Sequence, residues 1–230
     1  MTKRGKLIAL LGPVGVGKST VIRGLTQALE VRGFKTFTLF VKAFHGPAYV
    51  LWVLTAKLLS LDSRARTRHY APWFTIPKSG RVGLAKVLTT LSIYLDTFFS
   101  IPLKLIIART LRRAGYYVVS EEYMHTTLFD YMCAIIGLKL RGKFIDIPMN
   151  IINALLNKYP PDITVVLRAN VSELKRRWAI RGYGDPQPRY VLSQYAFLSK
   201  LHHAFAIDTT NMDIAEILNK ILSEVVKHVS

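Results

Sequence analysis

Apolar residues first gather in Leu7-Ile8-Ala9-Leu10-Leu11, a run too short for a helix and unbroken by polar positions, which is the pattern of a strand buried on both faces. From Thr20 to Val31 they return at helical spacing, and Gly33 closes the run. Phe34 to Val41 then alternates and branches like a strand. Strand, helix and strand in that order predict a parallel α/β beginning. Tyr49 to Leu61 is apolar at helical spacing, Ala71 to Gly80 is turn-rich, and Val82 to Arg113 reads as a long helix that Pro102 should end or kink. Tyr116 to Ser120 is a compact strand running into Glu121-Glu122-Tyr123. Helices over Leu128–Leu140 and Pro148–Tyr159 lead to Ile163–Leu167, the plainest buried strand of the chain. A helix from Val171 to Arg181, a hinge-like loop from Gly182 to Arg189, a helix to His203, a strand over Ala204–Asp208 and a closing helix over Met212–Val229 complete the pattern.

Between the first strand and the first helix stands Gly12-Pro13-Val14-Gly15-Val16-Gly17-Lys18-Ser19-Thr20, which fits G-x-x-x-x-G-K-[ST] in the context that motif requires. Such a loop curls so that successive backbone N–H groups, those of Gly15, Val16 and Gly17 among them, point at phosphate oxygens. Lys18 reaches the β- and γ-phosphates, and the Ser19 hydroxyl can ligate Mg²⁺. Lys18 is therefore expected to serve the phosphates and to contribute little to the core. The acidic residues at the end of the third strand stand out, because ligands of open α/β sheets bind outside the carboxyl ends of strands. One of them, Glu121 or Glu122, is expected to face the metal held by Ser19.

Length and charge bound the rest. The 230 residues suit one domain spanning 1–230. Lys and Arg number 32 against 14 Asp and Glu, a formal charge of +18, which leaves nucleic acid or an anionic membrane surface open as partners beyond nucleotide phosphate. Basic residues cluster in Ser63–His69 and in the helix carrying Lys175, Arg176, Arg177 and Arg181. The lone Cys133 allows no intramolecular disulfide, so a reducing cytoplasm is the expected location. Half the chain is apolar. The stretch from Ala43 to Ala56 is too short to cross a bilayer, and that from Val87 to Ala108 carries Asp96, Pro102 and Lys104, so neither is expected to span one. The basic start, Met1 to Lys6, leads straight into the first strand and does not read as a signal peptide.

The phosphate loop, the strand Pro161-Asp162-Ile163-Thr164-Val165-Val166-Leu167, the following Glu173, Leu174, Arg176 and Arg181, and the closing Ala206-Ile207-Asp208-Thr209 together resemble the thymidylate kinase family of nucleoside monophosphate kinases. The resemblance runs nearly end to end, with Ser120-Glu121-Glu122-Tyr123 at the family's Asp-Arg-Tyr. It implies a P-loop kinase fold: a five-stranded parallel sheet flanked by helices, with a lid at about residues 176–190, ATP as donor, Mg²⁺ as cofactor, nucleotide substrates, a place in nucleotide biosynthesis, and a homodimer as one form open to the chain. It also implies roles: Gly12, Gly15, Val16, Gly17, Lys18, Ser19 and Thr20 for ATP, Ser19 and Glu121 for the metal, and Lys18, Glu121, Arg176 and Arg181 for catalysis, with Arg189 as a further lid cation. Gly15 stands where some members carry an arginine, so the lid would supply the cations.

Departures cluster on the acceptor side. Val14 stands at the family's loop aspartate, Glu122 at the arginine of Asp-Arg-Tyr, and Tyr131 near a base-reading glutamine, while Lys104 is the one basic residue where the long helix should offer an arginine. Each substitution removes a partner for the acceptor's phosphate, sugar or base. The leading expectation is transfer of the γ-phosphoryl group of ATP to a nucleoside monophosphate, dTMP by family default. A kinase for a less polar acceptor at a membrane surface, and an ATP-binding protein associating with nucleic acid, stand as alternatives.

Overall fold

The computed structural model describes residues 4–61, 72–182 and 188–227. The basic run Ser63–His69 and residues 183–187 of the lid loop lie outside the described residues. The chain packs as two compact units that interleave in sequence: Met1–Phe40, Ile106–Tyr123 and Pro160–Ser230 form one, Val41–Leu105 and Met124–Tyr159 the other.

The first unit holds a sheet of five parallel strands, β1 (Leu7–Leu11), β2 (Thr36–Phe40), β3 (Tyr117–Glu121), β4 (Ile163–Arg168) and β5 (Ala204–Asp208), in the order β2-β3-β1-β4-β5. The unbroken apolar run of β1 follows from that order, since the strand lies at the centre and every one of its residues is buried. The connection from β1 passes β3 to reach β2 on one side, and that from β3 passes β1 to reach β4 on the other, and this reversal opens the ligand crevice of an open sheet at the carboxyl ends of β1 and β3. Helices α1 (Lys18–Val31), α8 (Val171–Ile180), α9 (Pro188–Leu198) and α10 (Ile214–Lys227) belong to this unit. Val21, Leu25 and Leu29 of α1 join Ile8, Leu10, Val165 and Ile221 in its core. Asp162, part of the motif that carries the family resemblance, proves structural. Its carboxylate accepts from Leu7 N at 2.6 Å and from Arg112 Nη2 at 2.8 Å, tying the entry of β4 to that of β1.

The second unit is helical: α2 (Pro47–Leu58), α3 (Pro72–Lys78), α4 (Val82–Leu95), a wide π turn (Asp96–Ser100), the start of α5 (Ile101–Arg113), α6 (Met124–Leu138) and α7 (Lys143–Lys158). The turn-rich stretch near residue 75 is a short helix, because Pro72 sits in the first turn, where a missing N–H costs nothing. Pro102 does not end the long helix. The π turn directly before it widens the backbone where the pyrrolidine ring would meet the preceding carbonyls. Pro148 likewise lies inside α7, at a place where the carbonyl of the exposed Phe144 can turn to water. Trp52 is fully buried and donates from Nε1 to Ser92 Oγ at 2.8 Å. Phe44 stacks on Trp73 with ring centroids 5.4 Å apart and meets Tyr131 edge-on.

Candidate active site

The phosphate loop follows β1, and α1 begins at Lys18, two residues earlier than the apolar periodicity suggests, so its first N–H groups open into the loop. Gly12 and Gly15 are required by their neighbours. A Cβ on Gly12 would stand 2.4 Å from the Leu167 carbonyl oxygen, and one on Gly15 would stand 2.5 Å from Trp178 Nε1. Gly15 also has φ of 89°, where side chains are disfavoured. The Trp178 indole thus fills the space over the loop, and its Nε1 donates to Val14 O at 2.8 Å.

Lys18 is buried. Its Nζ donates to Gly12 O at 2.6 Å and Pro13 O at 3.0 Å, and pairs with Glu122 Oε1 at 2.9 Å. Glu122 is buried as well and adopts φ of 63°, a left-handed conformation that costs a glutamate on the order of 1 kcal/mol. That conformation is held by Glu122 N donating to Leu10 O at 3.0 Å and by Ser120 Oγ donating to Glu122 O at 2.6 Å. Glu121, one residue earlier, points the other way. Ser19 Oγ donates to its two carboxylate oxygens at 3.0 and 3.2 Å. Of the two carboxylates singled out from sequence, Glu121 therefore meets Ser19 and Glu122 meets Lys18.

A magnesium ion fits the Ser19–Glu121 pair. Magnesium takes hard oxygen donors and commonly uses one or two carboxylates, with phosphate and water completing its shell. Among the described residues no group of three or more His, Cys, Asp or Glu side chains could hold a metal ion.

The α8 cations divide. Arg176 is 64% exposed at its side chain and pairs with Glu173 at 2.7 Å, away from the loop. Arg177 also reaches Glu173, at 2.7 Å, but its Nη1 donates to Val16 O at 3.1 Å and Thr209 Oγ1 at 3.2 Å, and its Nη2 to Thr209 O at 2.8 Å. The hydrogen bonds from Arg176 first, then Arg177, hold the Glu173 carboxyl down at about 2. Arg181 lines a pocket of about 320 Å³ with Gly15, Gly17, Thr20, Arg177 and Met212. Ile180 and Ile214 add apolar wall. Arg189 is exposed on α9.

No protein-family model matches the chain, and no curated protein matches it either. Among solved structures, thymidylate kinase from Candida albicans matches over 98% of this chain and 92% of its own, with a TM-score of 0.52 and 15% identity. At that identity the likeness establishes the fold: the chain has a thymidylate kinase-like α/β fold with a five-stranded parallel sheet flanked by helices.

Arg177 and Trp178 were not singled out by sequence, although the phase of α8 points to them. Leu174 is fully buried, and residues three, four and seven further on share its side of a helix, which selects Arg177, Trp178 and Arg181 and turns Arg176 outward. Tyr131 is fully buried and donates its hydroxyl to Asp96, so it acts as a core group of the helical unit where sequence placed it near a base-reading position.

Proposed function

We propose that this protein is an ATP-dependent phosphotransferase of the nucleoside monophosphate kinase kind, with dTMP as the default acceptor. The observation that carries the reading is the Ser19–Glu121 contact beside a phosphate loop whose lysine is already oriented on the loop. The loop N–H groups and Lys18 hold the β- and γ-phosphates, and the pocket against Arg177, Arg181 and Met212 offers cationic and apolar wall for the rest of the nucleotide. Ser19 and Glu121 would hold Mg²⁺, which supplies charge neutralisation between the phosphates when bound. In the transfer the bond from the γ-phosphorus to the bridging oxygen breaks, a bond to the acceptor oxygen forms, and ADP leaves. Most of the catalysis is positioning and charge compensation, which the loop amides, Lys18 and Arg181 provide.

One observation favours a second reading, a less charged acceptor. Glu122, where the family resemblance expects an arginine for the acceptor's phosphate, is a buried carboxylate paired with Lys18. A screen of ribo- and deoxynucleoside monophosphates, with sugar and polyprenyl acceptors alongside, tests both readings with ATP and Mg²⁺. ADP formation dependent on a monophosphate supports the first, and ADP formation dependent on a neutral alcohol supports the second. Absence of ATP binding overturns both.

A further inference from the structure

The long helix of the helical unit is apolar on its outer side as well as its packed one. Its packed side mixes Ala85, Leu88, Ile93 and Ile101 with Thr89, Ser92, Asp96, Thr97 and Ser100, all buried among neighbouring elements. Its outer side shows Val87 at 56% exposure, Leu91 at 46%, Phe98 at 48%, Phe99 at 64% and Leu103 at 59%. A surface helix ordinarily turns its apolar stripe inward and its polar residues to water. These five residues recur at helical spacing, and the extra width of the π turn at Asp96–Ser100 keeps those after it on the side of those before it. They span sixteen residue steps, or about 24 Å at the helical rise. The helix of which they are part, Val82–Arg113, is long and apolar enough to cross a membrane, yet its inner side is occupied by packing against α2, α3, α6 and α7. The same unit exposes Val50, Leu54 and Leu58 at successive turns of α2.

Charge selects the occupant. The segments of this unit carry thirteen Lys and Arg against four Asp and no Glu, and one of those aspartates, Asp96, is buried. Lys86 adjoins Val87 of the stripe in sequence, and Arg81 stands exposed at the N-terminus of α4, while Lys104 is drawn inward toward Asp96. A second copy of the chain would set two such cationic faces against each other. Nucleic acid would use the charge and leave the apolar stripe in water. An anionic lipid surface uses both, since the apolar side chains enter the acyl boundary while each Lys or Arg near the headgroups contributes about 1 kcal/mol. A long basic side chain beside the stripe, such as that of Lys86, can lay its stem along it and keep the ammonium at headgroup level.

We propose that the α4–α5 stripe docks this protein peripherally on anionic membrane surfaces. The proposal is independent of which acceptor the phosphotransferase uses. The test is flotation of the full chain with vesicles of phosphatidylcholine and phosphatidylglycerol, beside phosphatidylcholine alone, across a salt series. The wild type is expected to float with the anionic vesicles, with binding that weakens as salt rises but does not vanish, because the apolar part is not screened. Leu91→Glu with Phe99→Glu is expected to lower vesicle partition by at least about ten-fold, since two apolar side chains lose their burial. Leu91→Ser with Phe99→Ser, which adds no negative charge, is expected to do the same. ATP binding and the thermal melt of these variants are expected to match wild type, as the residues are exposed. Absence of flotation with anionic vesicles overturns the proposal, as does flotation that ignores both double variants. Sedimentation showing a dimer that the stripe variants dissociate, with no vesicle binding, assigns the stripe to a second copy and overturns it. Oligonucleotide binding without vesicle binding assigns the charge to nucleic acid and overturns it too.

Discussion

Lys18 Nζ stands 2.9 Å from Glu122 Oε1 with both side chains buried, so the ammonium proposed to meet nucleotide phosphate already has a counter-charge within the protein. This makes Lys18 part of the fold as well as of the proposed chemistry, contrary to the expectation that it contributes little to the core. Lys18→Met is expected to leave less than about a tenth of wild-type transfer, because the charge that compensates the phosphates is gone. It should also lower stability by about 3 kcal/mol, because Glu122 is left as a buried charge without its cation. Lys18→Met with Glu122→Gln should recover most of the stability and none of the activity. Thermal melts and turnover of the three proteins check this, and a single variant as stable as wild type contradicts it.

The two neighbouring carboxylates should separate in the same assays. Glu121 faces Ser19, so Glu121→Gln is expected to raise the Mg²⁺ concentration for half-maximal activity by about ten-fold while leaving the melt nearly unchanged. Glu122→Gln should do the reverse, shifting the melt and leaving the Mg²⁺ requirement close to wild type. A magnesium titration of both variants decides, and equal shifts would exchange or merge the two roles.

The strands were legible because each is a short run, apolar or alternating, between turn signals, and β5 keeps the bounds read from sequence, Ala204–Asp208. The phosphate loop was legible because its chemistry needs fixed spacing. What sequence could not supply is tertiary reach. Ser19 and Glu121 lie 102 positions apart, and their meeting depends on β1 and β3 being neighbours, with Leu10 opposite Glu121. The division of labour between Glu121 and Glu122 turns on one left-handed residue, which no local pattern announces. Arg176 and Arg177 were misweighted for a different reason: the helix phase that separates them is set by Leu174, and composition counts both alike. Pro102 misled because a π turn can absorb a proline that an α-helical register cannot.

Gly15 and Trp178 are expected to behave as a coupled pair. Gly15→Ala puts a Cβ 2.5 Å from Trp178 Nε1 at a backbone angle that disfavours side chains, so the loop must shift. ATP affinity should fall by at least about ten-fold, a loss of roughly 1.4 kcal/mol. Gly15→Ala with Trp178→Ala should regain part of that loss by removing the steric conflict, though not the part due to φ. Calorimetric ATP binding across the double-mutant cycle measures the coupling, and strictly additive losses would mean that the indole does not constrain the loop.

The three arginines of α8 and its end should give three different phenotypes. Arg176→Ala is expected to change turnover by no more than a few-fold, because its side chain is exposed and paired only with Glu173 among the contacts described. Arg177→Ala removes donors from Val16 O and Thr209 O, so it should lower the melting temperature and ATP affinity together. Arg181→Ala, on the pocket wall, should lower kcat and kcat/KM by about a hundred-fold with ATP affinity little changed. Steady-state kinetics beside direct ATP binding separate these outcomes. Wild-type kcat in Arg181→Ala would remove it from the transfer step.

Asp96 and His125, both in the helical unit, should oppose each other in the pH dependence of stability. Burial raises the Asp96 carboxyl from its ordinary 3.8 to about 6, against the lowering effect of Tyr131, Ser100, Lys104 and the Phe44 N–H. Burial lowers the His125 imidazole from 6.5 to about 4. Between about pH 4 and pH 6 the folded chain keeps a proton on Asp96 that the unfolded chain has released, so raising the pH across this window destabilises the fold. Over the same window the unfolded chain holds a proton on His125 that the folded chain lacks, so raising the pH stabilises it. Each effect is on the order of 3 kcal/mol once both groups have titrated, and in the wild type they largely cancel. Asp96→Asn should therefore reveal stability that rises with pH from about 4 to 6.5, and His125→Gln stability that falls from about 4 to 6. Thermal melts of wild type and both variants across that range are the measurement. If Asp96→Asn follows the wild-type curve throughout, the Asp96 carboxyl is not protonated in the folded protein near pH 5, and the buried contact with Tyr131 and Phe44 is formed by the carboxylate alone.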